Sequence, residues 1–322
     1  MFRLVVFSAL LSLTAVQALG QTSYELTDGG FAEVAVPEPG TPAAELAAAR
    51  KLIAQDEPKK ALKALEAWIE DYPNDPLAVE AYLLRGDAKA ANGDFYKALF
   101  DYEEVITYYP ASEQFWTAIE REYEIGVLFT TGFKRKLWGV RWLPADGEGA
   151  ELLIRVQERA PGSPIGEQAS IALADHYFNS SQMILATEAY DLFLINYPES
   201  ELRQWALLRL IQASLARFKG PEFDGTGLID AGERLRQYRD EYPAAAERVG
   251  VDALLVRIRE SLARRDYASA NWYDRTGENV SAALLYRRLI QEYSDTTAAR
   301  DAVARLEAMG EPPVLPEDEG DE

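Results

Sequence analysis

Few residues in this sequence could carry out catalysis or bind a metal. The chain has one histidine, His176, and no cysteine, which excludes a multi-histidine centre, thiolate ligands and a cysteine nucleophile. Adjacent carboxylates occur at Glu103–Glu104 and Asp240–Glu241, but acid–base catalysis needs a carboxyl with a shifted pKa in a pocket. These pairs fall at predicted helix ends of a very acidic chain, which favours a solvated surface. We therefore predict no catalytic residue, no metal site and no cofactor, and a structural role for His176.

The charge of the chain restricts its partners. It carries 33 Lys and Arg against 53 Asp and Glu, a net charge of −20. Binding to nucleic acid depends on cations that neutralise phosphates, so a nucleic-acid partner is not expected, and an anionic membrane surface should repel the chain. Hydrophobic residues make up 48% of the sequence and charged residues 27%, which is typical of a folded domain. The negative charge is compatible with basic or polar protein partners.

The first twenty residues are typical of a signal peptide. Arg3 precedes an apolar run from Leu4 to Val16, and small residues offer cleavage after Ala18 or Gly20. An N-terminal membrane anchor or a buried helix is the alternative. The run is shorter than the roughly 20 residues of a membrane-spanning helix, and no later run is long and apolar enough, so no integral span is expected. Gln21 stands where a lipoprotein would carry its acylated cysteine, so we predict export without that lipid anchor.

The rest of the chain divides by composition into three segments. Residues 21–41 are rich in Gly and Pro and are predicted to form a flexible tether. Residues 42–310 have apolar residues at the spacing of amphipathic helices. Residues 311–322 are predicted to be an acidic disordered tail, since they follow a Pro pair with a run of Asp and Glu.

A phrase ending in Tyr-Pro recurs within residues 42–310. Four copies are complete and two are degenerate: Tyr72–Pro73, Tyr109–Pro110, Tyr197–Pro198, Tyr242–Pro243, then Ala160–Pro161 and Tyr293–Ser294. Twelve residues before the end of each copy stands a small residue: Ala61, Ala98, Gly149, Ala186, Ala231 and Ala282. Eight residues before it stands a large one: Leu65, Tyr102, Leu153, Tyr190, Leu235 and Tyr286. Five residues before it stands another: Trp68, Val105, Val156, Phe193, Tyr238 and Leu289.

These three positions, which we call the repeat frame, lie on one face of a helix. The small residue allows a neighbouring helix to approach closely, and the large ones fill the space beside it. The proline ends the unit because it cannot donate the next helical hydrogen bond. An earlier helix precedes each frame across a turn that contains Gly or Asn, as in Asn92–Gly93–Asp94. Each unit is therefore predicted to be a pair of helices over about 34 residues.

This pattern of a small residue, large residues and a closing proline resembles the tetratricopeptide repeat. The resemblance implies an all-α fold, a right-handed solenoid of about six helix–turn–helix units. Unequal spacing between the copies predicts insertions at Thr130–Gly149 and Lys219–Thr226. A third long interval, Ala244–Tyr267, is predicted to be one lengthened helix.

The last repeat resembles one family more closely. The phrase Ala270-x-Trp272-Tyr273-x-Arg275-x-Gly277, followed by a helix that ends near Tyr293 and Thr296, is similar to the C-terminal repeat of BamD-type outer-membrane β-barrel assembly proteins. The resemblance implies a periplasmic scaffold, peripheral at the outer membrane through its partners. It also implies that C-terminal repeats contact the barrel protein of the assembly machinery and that N-terminal repeats contact extended client segments.

Two sets of residues are candidates for binding a partner. The first is a basic, aromatic group in an insertion: Lys134, Arg135, Trp138 and Trp142. Trp and Arg are typical of interface hot spots. The alternative is that both Trp side chains pack onto the helical array. The second set lies near the first helix of a repeat, which the tetratricopeptide resemblance places on the concave side of the solenoid: Asp87, Ala90, Asn92, Asp175, Phe178 and Asn179. The alternative is that these residues are ordinary helix surface and core.

Three functions are compatible with these observations. The leading hypothesis is a non-enzymatic periplasmic adaptor in outer-membrane β-barrel assembly. The alternative is a general periplasmic tetratricopeptide protein that coordinates cell-envelope or wall-synthesis complexes. A remote alternative is an exported hydrolase that acts on glycans through carboxylates. The sequence does not indicate an oligomeric state.

Overall fold

The computed structural model describes residues 23–27, 30–34, 37–137 and 140–313, with side chains for residues 37–134 and 143–313. The predicted signal peptide and all but the first three residues of the predicted tail lie outside these ranges. The chain divides into two compact units, one up to Gln114 and one from Phe115.

The first unit contains a β-hairpin and two helix pairs. Its elements are β1 (Ser23–Thr27), β2 (Gly30–Val34), α1 (Pro42–Ala54), α2 (Pro58–Asp71), α3 (Ala78–Ala91) and α4 (Phe95–Tyr108). Antiparallel pairing of β1 with β2, from Ser23 opposite Val34 to Thr27 opposite Gly30, differs from the flexible tether that the composition predicts. Helices α1 and α2 pack together, as do α3 and α4.

The second unit contains the remaining helices and a second hairpin. Its elements are α5 (Gln114–Thr130), β3 (Lys134–Leu137), β4 (Val140–Pro144), α6 (Asp146–Arg159), α7 (Pro164–Asn179), α8 (Met183–Asn196), α9 (Arg203–Ala216), α10 (Thr226–Glu241), α11 (Pro243–Val249), α12 (Val251–Arg275), α13 (Asn279–Glu292) and α14 (Thr297–Met309). From α6 onward each long helix packs against the next in the chain, with α12 following α10. The predicted all-α fold of stacked helix pairs is confirmed.

The repeat frame forms the contacts between these helices. Every Ala of the frame is completely buried, and the large residues are at most 2% exposed. Gly149 is also buried, and a Cβ atom there would lie 2.8 Å from the backbone nitrogen of Thr130 in α5. The small residues therefore mark points where two helices touch, as the sequence predicts.

The turn inside the helix pairs is also repeated. Asp56, Gly93, Ser181 and Gly277 all adopt the left-handed backbone conformation, with φ between 59° and 84°. In each case the backbone N–H of this residue and that of the next one return to carbonyls of the preceding helix, the hydrogen-bonding pattern of a Schellman motif. The predicted Gly- or Asn-containing turn thus has a defined geometry.

One prediction about the insertions needs correction. Ala244–Tyr267 is not one lengthened helix, because α11 ends at Val249 and α12 starts at Val251. Gly250 between them has a φ of 74°. The segment Thr130–Gly149 contains the antiparallel strands β3 and β4, which the sequence does not predict. Lys219–Thr226 connects α9 to α10 mainly as a loop.

Candidate protein-binding surface

Side chains from three consecutive helices meet on one face of the second unit. Helix α7 supplies Asp175 and Phe178, α8 supplies Tyr190, and α9 supplies Trp205 and Arg209. The Arg209 guanidinium lies 4.6 Å from the centroid of the Phe178 ring and 5.1 Å from that of the Trp205 ring. The Tyr190 ring meets those of Phe178 and Trp205 edge to face, with centroids 6.4 Å and 6.1 Å apart. We call these five residues the α7–α9 cluster.

A partly buried hydrogen bond between α7 and α8 supports the cluster. The hydroxyl of Tyr190, a fully buried residue, donates to Asp175 Oδ1 at 2.5 Å. Burial raises the pKa of the Asp175 carboxyl, although the Tyr190 hydrogen bond and the Arg209 charge oppose this shift. Burial and the hydrogen bond to Asp175 both raise the pKa of the Tyr190 phenol. The pair therefore holds α7 against α8, and this contact helps to position Phe178 and Arg209.

This arrangement suits recognition of a protein segment. The Trp205 side chain is exposed and Phe178 is half-buried, so the two rings offer an apolar wall. Arg209 is stacked between them, and stacking restrains the plane in which its N–H groups can donate. An apolar side chain of a partner could contact the rings while a carbonyl or carboxylate oxygen accepts from Arg209.

The predicted residues of α7 have different positions relative to this cluster. Phe178 is part of the apolar wall of the cluster, whereas Asp175 accepts a hydrogen bond from Tyr190. Asn179 is exposed at the last position of α7. Trp205 and Arg209 lie on the first helix of the fifth repeat, whereas the predicted residues come from the second and fourth repeats. Their spacing of four residues on the first helix of the next unit is the signal that could have indicated them.

The predicted residues of the first unit lie on α3 and the turn that follows it. Asp87 Oδ1 accepts a hydrogen bond from Tyr102 at 2.9 Å, so it links α3 to α4 as Asp175 links α7 to α8. Ala90 is half-buried. Asn92 is exposed, and its Nδ2 donates to Asp94 at 2.8 Å within the turn.

The basic, aromatic insertion is a β-hairpin. Lys134 is exposed and pairs with Pro144, and Arg135 pairs with Leu143. The register then shifts, so that Trp142 is the extra residue of a β-bulge. Trp138 lies outside the described residues. Docking through this hairpin stays a prediction.

The residues considered for catalysis or metal binding have surroundings typical of helix surfaces. His176 is half-buried, and its ring centroid lies 5.6 Å from that of Tyr177. Hydrogen bonds from Gln237 and Arg203 lower the pKa of Glu241, opposite to the shift that a general acid needs. In the part of the chain that the structure describes, no group of three acidic or histidine side chains is placed to hold a metal. The described helices are all too short or too polar to cross a membrane.

The stacked helix pairs define a scaffold of the tetratricopeptide class. A tetratricopeptide-repeat family model matches residues 80–112, from α3 through α4. The model of the YfiO family, described as outer membrane lipoprotein, matches residues 147–311, just over half of the chain. The chain belongs to this family. Both families are protein-interaction scaffolds.

Several solved structures are similar to the chain at low identity. The C-terminal part of a tetratricopeptide-repeat protein from Cytophaga hutchinsonii is 12% identical, with 83% of this chain and 89% of that chain covered and a TM-score of 0.40. PilW, a type IV pilus biogenesis factor, is 13% identical over 83% of this chain and 100% of that chain, with a TM-score of 0.31. The tetratricopeptide domain of P58(IPK) is 15% identical over 83% of this chain and 79% of that chain, with a TM-score of 0.28.

Proposed function

We propose that the protein is an exported, non-enzymatic scaffold of the machinery that assembles β-barrel proteins in the outer membrane, as BamD-type proteins are. The observation that carries this proposal is the family match over residues 147–311, which includes the whole α7–α9 cluster. The apolar run in residues 1–20 supports export. The protein would act in the periplasm, at the inner side of the outer membrane.

In this function the α7–α9 cluster holds an extended segment of another protein. Phe178 and Trp205 contact its apolar side chains, and Arg209 donates to its backbone or to a carboxylate. Because Asp175 and Tyr190 pair with each other, they position the cluster and leave recognition to the other three side chains. Association with a protein segment is favoured by aromatic and Arg anchors that are ordered before binding.

Two further surfaces supplement the cluster in this proposal. In the first unit, Ala90 and Asn92 are a contact for an extended client segment, with Asp87 as a positioning residue. In the second unit, Asn179 adds a polar contact at the end of α7. The hairpin residues Lys134, Arg135, Trp138 and Trp142 form a separate docking point for a folded partner. Their basic character complements an acidic partner surface.

Co-purification tests the proposal. The tagged protein is extracted from membranes in mild detergent, and the barrel protein of the assembly machinery is quantified in the eluate. The double variant Trp205→Ala, Arg209→Ala should recover at least tenfold less of it or of unfolded barrel clients, because both anchors are lost. Ile195→Ala, a change at a residue 67% exposed on α8, is the matched control and should leave recovery unchanged. Absence of any assembly component from the wild-type eluate would contradict the proposal.

A second function is supported by one feature of the sequence, which contains no cysteine to carry the lipid of a lipoprotein. A periplasmic tetratricopeptide protein that coordinates wall-synthesis complexes would keep the same surface and have other partners. Cell fractionation separates the two functions. Recovery with the outer membrane favours β-barrel assembly, and release with the freely soluble periplasmic proteins favours the alternative.

A further inference from the structure

Large apolar side chains are exposed together at one edge of the second unit. They lie at or near the points where the first helix of a pair ends and the second begins. Ile184 is 61% exposed, Phe223 55%, Trp272 53% and Val280 87%. Exposing apolar side chains to water has a free-energy cost that grows with the exposed area. A group of exposed apolar side chains is therefore typical of an interaction site. We call these four residues the Phe223 edge.

Two cavities connect Ile184, Phe223 and Trp272 of the Phe223 edge. One, of about 620 Å³, is lined by Ile184 on α8 and by Phe223 in the loop between α9 and α10. The other, of about 600 Å³, is lined by Phe223 and by Trp272 on α12. Phe223 is therefore the shared wall between them. Val280 follows on α13, directly after the turn that ends α12.

Cationic side chains flank these apolar ones. Lys219 lies in the first cavity and Arg275 in the second. Both are exposed, and neither has a carboxylate within ion-pair distance among the residues that the structure describes. Asp224 also lines the first cavity and Glu222 the second, so the carboxylates of the loop outnumber Lys219. Attraction to this edge must come mainly from its apolar side chains.

We propose that the Phe223 edge binds the surface of a phospholipid bilayer, with Phe223 and Trp272 inserted below the head groups. Aromatic rings at the tips of a loop and a helix, beside Lys and Arg with long aliphatic stems, match the chemistry of the membrane interface. The cations reach lipid phosphates while the rings enter the apolar layer. This inference rests on the proposed function, which places the protein beside the outer membrane. It adds a direct contact with lipid to the contacts with protein partners.

Flotation with vesicles tests the inference. The protein purified from the cell envelope is mixed with vesicles of zwitterionic phosphatidylcholine, and the bound fraction is measured at low and high salt. The wild type should bind with little salt dependence, because apolar insertion dominates. The double variant Phe223→Ala, Trp272→Ala should partition at least tenfold more weakly. The matched control, Ile195→Ala with Val256→Ala, removes two side chains of similar exposure outside the edge and should bind as the wild type does.

Quenching by brominated lipid provides a second measurement. The tryptophan fluorescence of the wild type should be quenched in these vesicles, and Trp272→Phe, which keeps an aromatic ring, should still float while losing most of that quenching. Circular dichroism checks that all variants keep their helices. Failure of the wild type to float, or equal losses in the edge and control variants, would overturn the inference. So would loss of the co-purified barrel protein from the edge variant without any change in vesicle binding, which would assign the edge to a protein partner. Because the vesicles contain no protein, a negative result leaves the proposed function to its own test.

Discussion

Replacing Gly149 by alanine should destabilise the fold, although alanine is the better helix former. A Cβ atom at this position would lie 2.8 Å from both Phe129 Cβ and the backbone nitrogen of Thr130, and 2.9 Å from the carbonyl oxygen of Gly126. Two of these atoms belong to the backbone of α5 and cannot rotate away. Overpacking of this kind costs about 1–3 kcal/mol, and the gain in helix propensity returns about 0.5–1 kcal/mol. The difference between these two ranges is about 0–2.5 kcal/mol, so we expect the free energy of unfolding to fall by about 1 kcal/mol.

The same substitution at Gly232 is the matched control. This residue lies inside α10, and its added Cβ would be 3.8 Å from Ile258 and 3.9 Å from Arg236, which are ordinary contacts. Gly232→Ala should therefore stabilise the protein by about 0.5–1 kcal/mol. Urea unfolding followed by far-ultraviolet circular dichroism measures both variants, with slopes compared because repeat arrays can unfold in parts. A Gly149→Ala protein at least as stable as the wild type would refute the assignment of Gly149 to a close contact between α5 and α6.

Three further predictions concern other positions. Ala282→Leu, at a completely buried frame position, should lower the free energy of unfolding by about 1–3 kcal/mol, and an unchanged urea midpoint would contradict this. Ser181→Gly should raise it by about 0.5–1 kcal/mol, because Ser181 has a φ of 61° that glycine adopts without strain; a loss of stability in the same urea assay would show the reasoning to be wrong. Asp175→Asn should stabilise the protein at neutral pH, because burial raises the pKa of Asp175 and its ionised form opposes folding above that pKa. In a pH series this advantage should shrink as the pH falls through the raised pKa, where the wild-type carboxyl becomes protonated, and an advantage that grows on acidification would contradict it.

The core of the repeats could be predicted from the sequence because its spacing repeats with the helix. The frame names eighteen residues, and all of them are buried. The helical period puts all three frame positions of a repeat on one face of the helix. Aligning the Tyr-Pro motifs is therefore sufficient to identify the buried positions. The proline also indicates the end of the helix, as at Tyr197, where α8 stops.

The irregular segments could not be predicted in the same way. Gly250 ends α11 by adopting a left-handed conformation, but the residues on either side of it favour a helix, so a continuous helix was the simpler interpretation. Strands β1 and β2 have a local signal, since Asp28–Gly29 separates them in the sequence and such pairs are typical of hairpin turns. Strands β3 and β4 have no comparable turn pair, and their charged residues do not alternate clearly with apolar ones.

The α7–α9 cluster shows what the sequence could and could not predict about the site. The tetratricopeptide resemblance indicates Phe178 on the first helix of its repeat. It did not reveal that Arg209, 31 residues later in the sequence, lies over the Phe178 ring, because that contact depends on how two helix pairs stack. It also suggested that Asp175 is available to a partner, whereas the structure pairs it with a buried tyrosine.

Photo-crosslinking in living cells tests the central claim most directly. A photoreactive phenylalanine derivative is placed at Trp205 in the α7–α9 cluster or, as the control, at Ile195 on α8, which is exposed. The account predicts that the probe at position 205 crosslinks to the barrel protein of the assembly machinery or to unfolded barrel clients and that the probe at position 195 does not. Equal crosslinking at both positions, or none of these proteins captured at position 205, would contradict it.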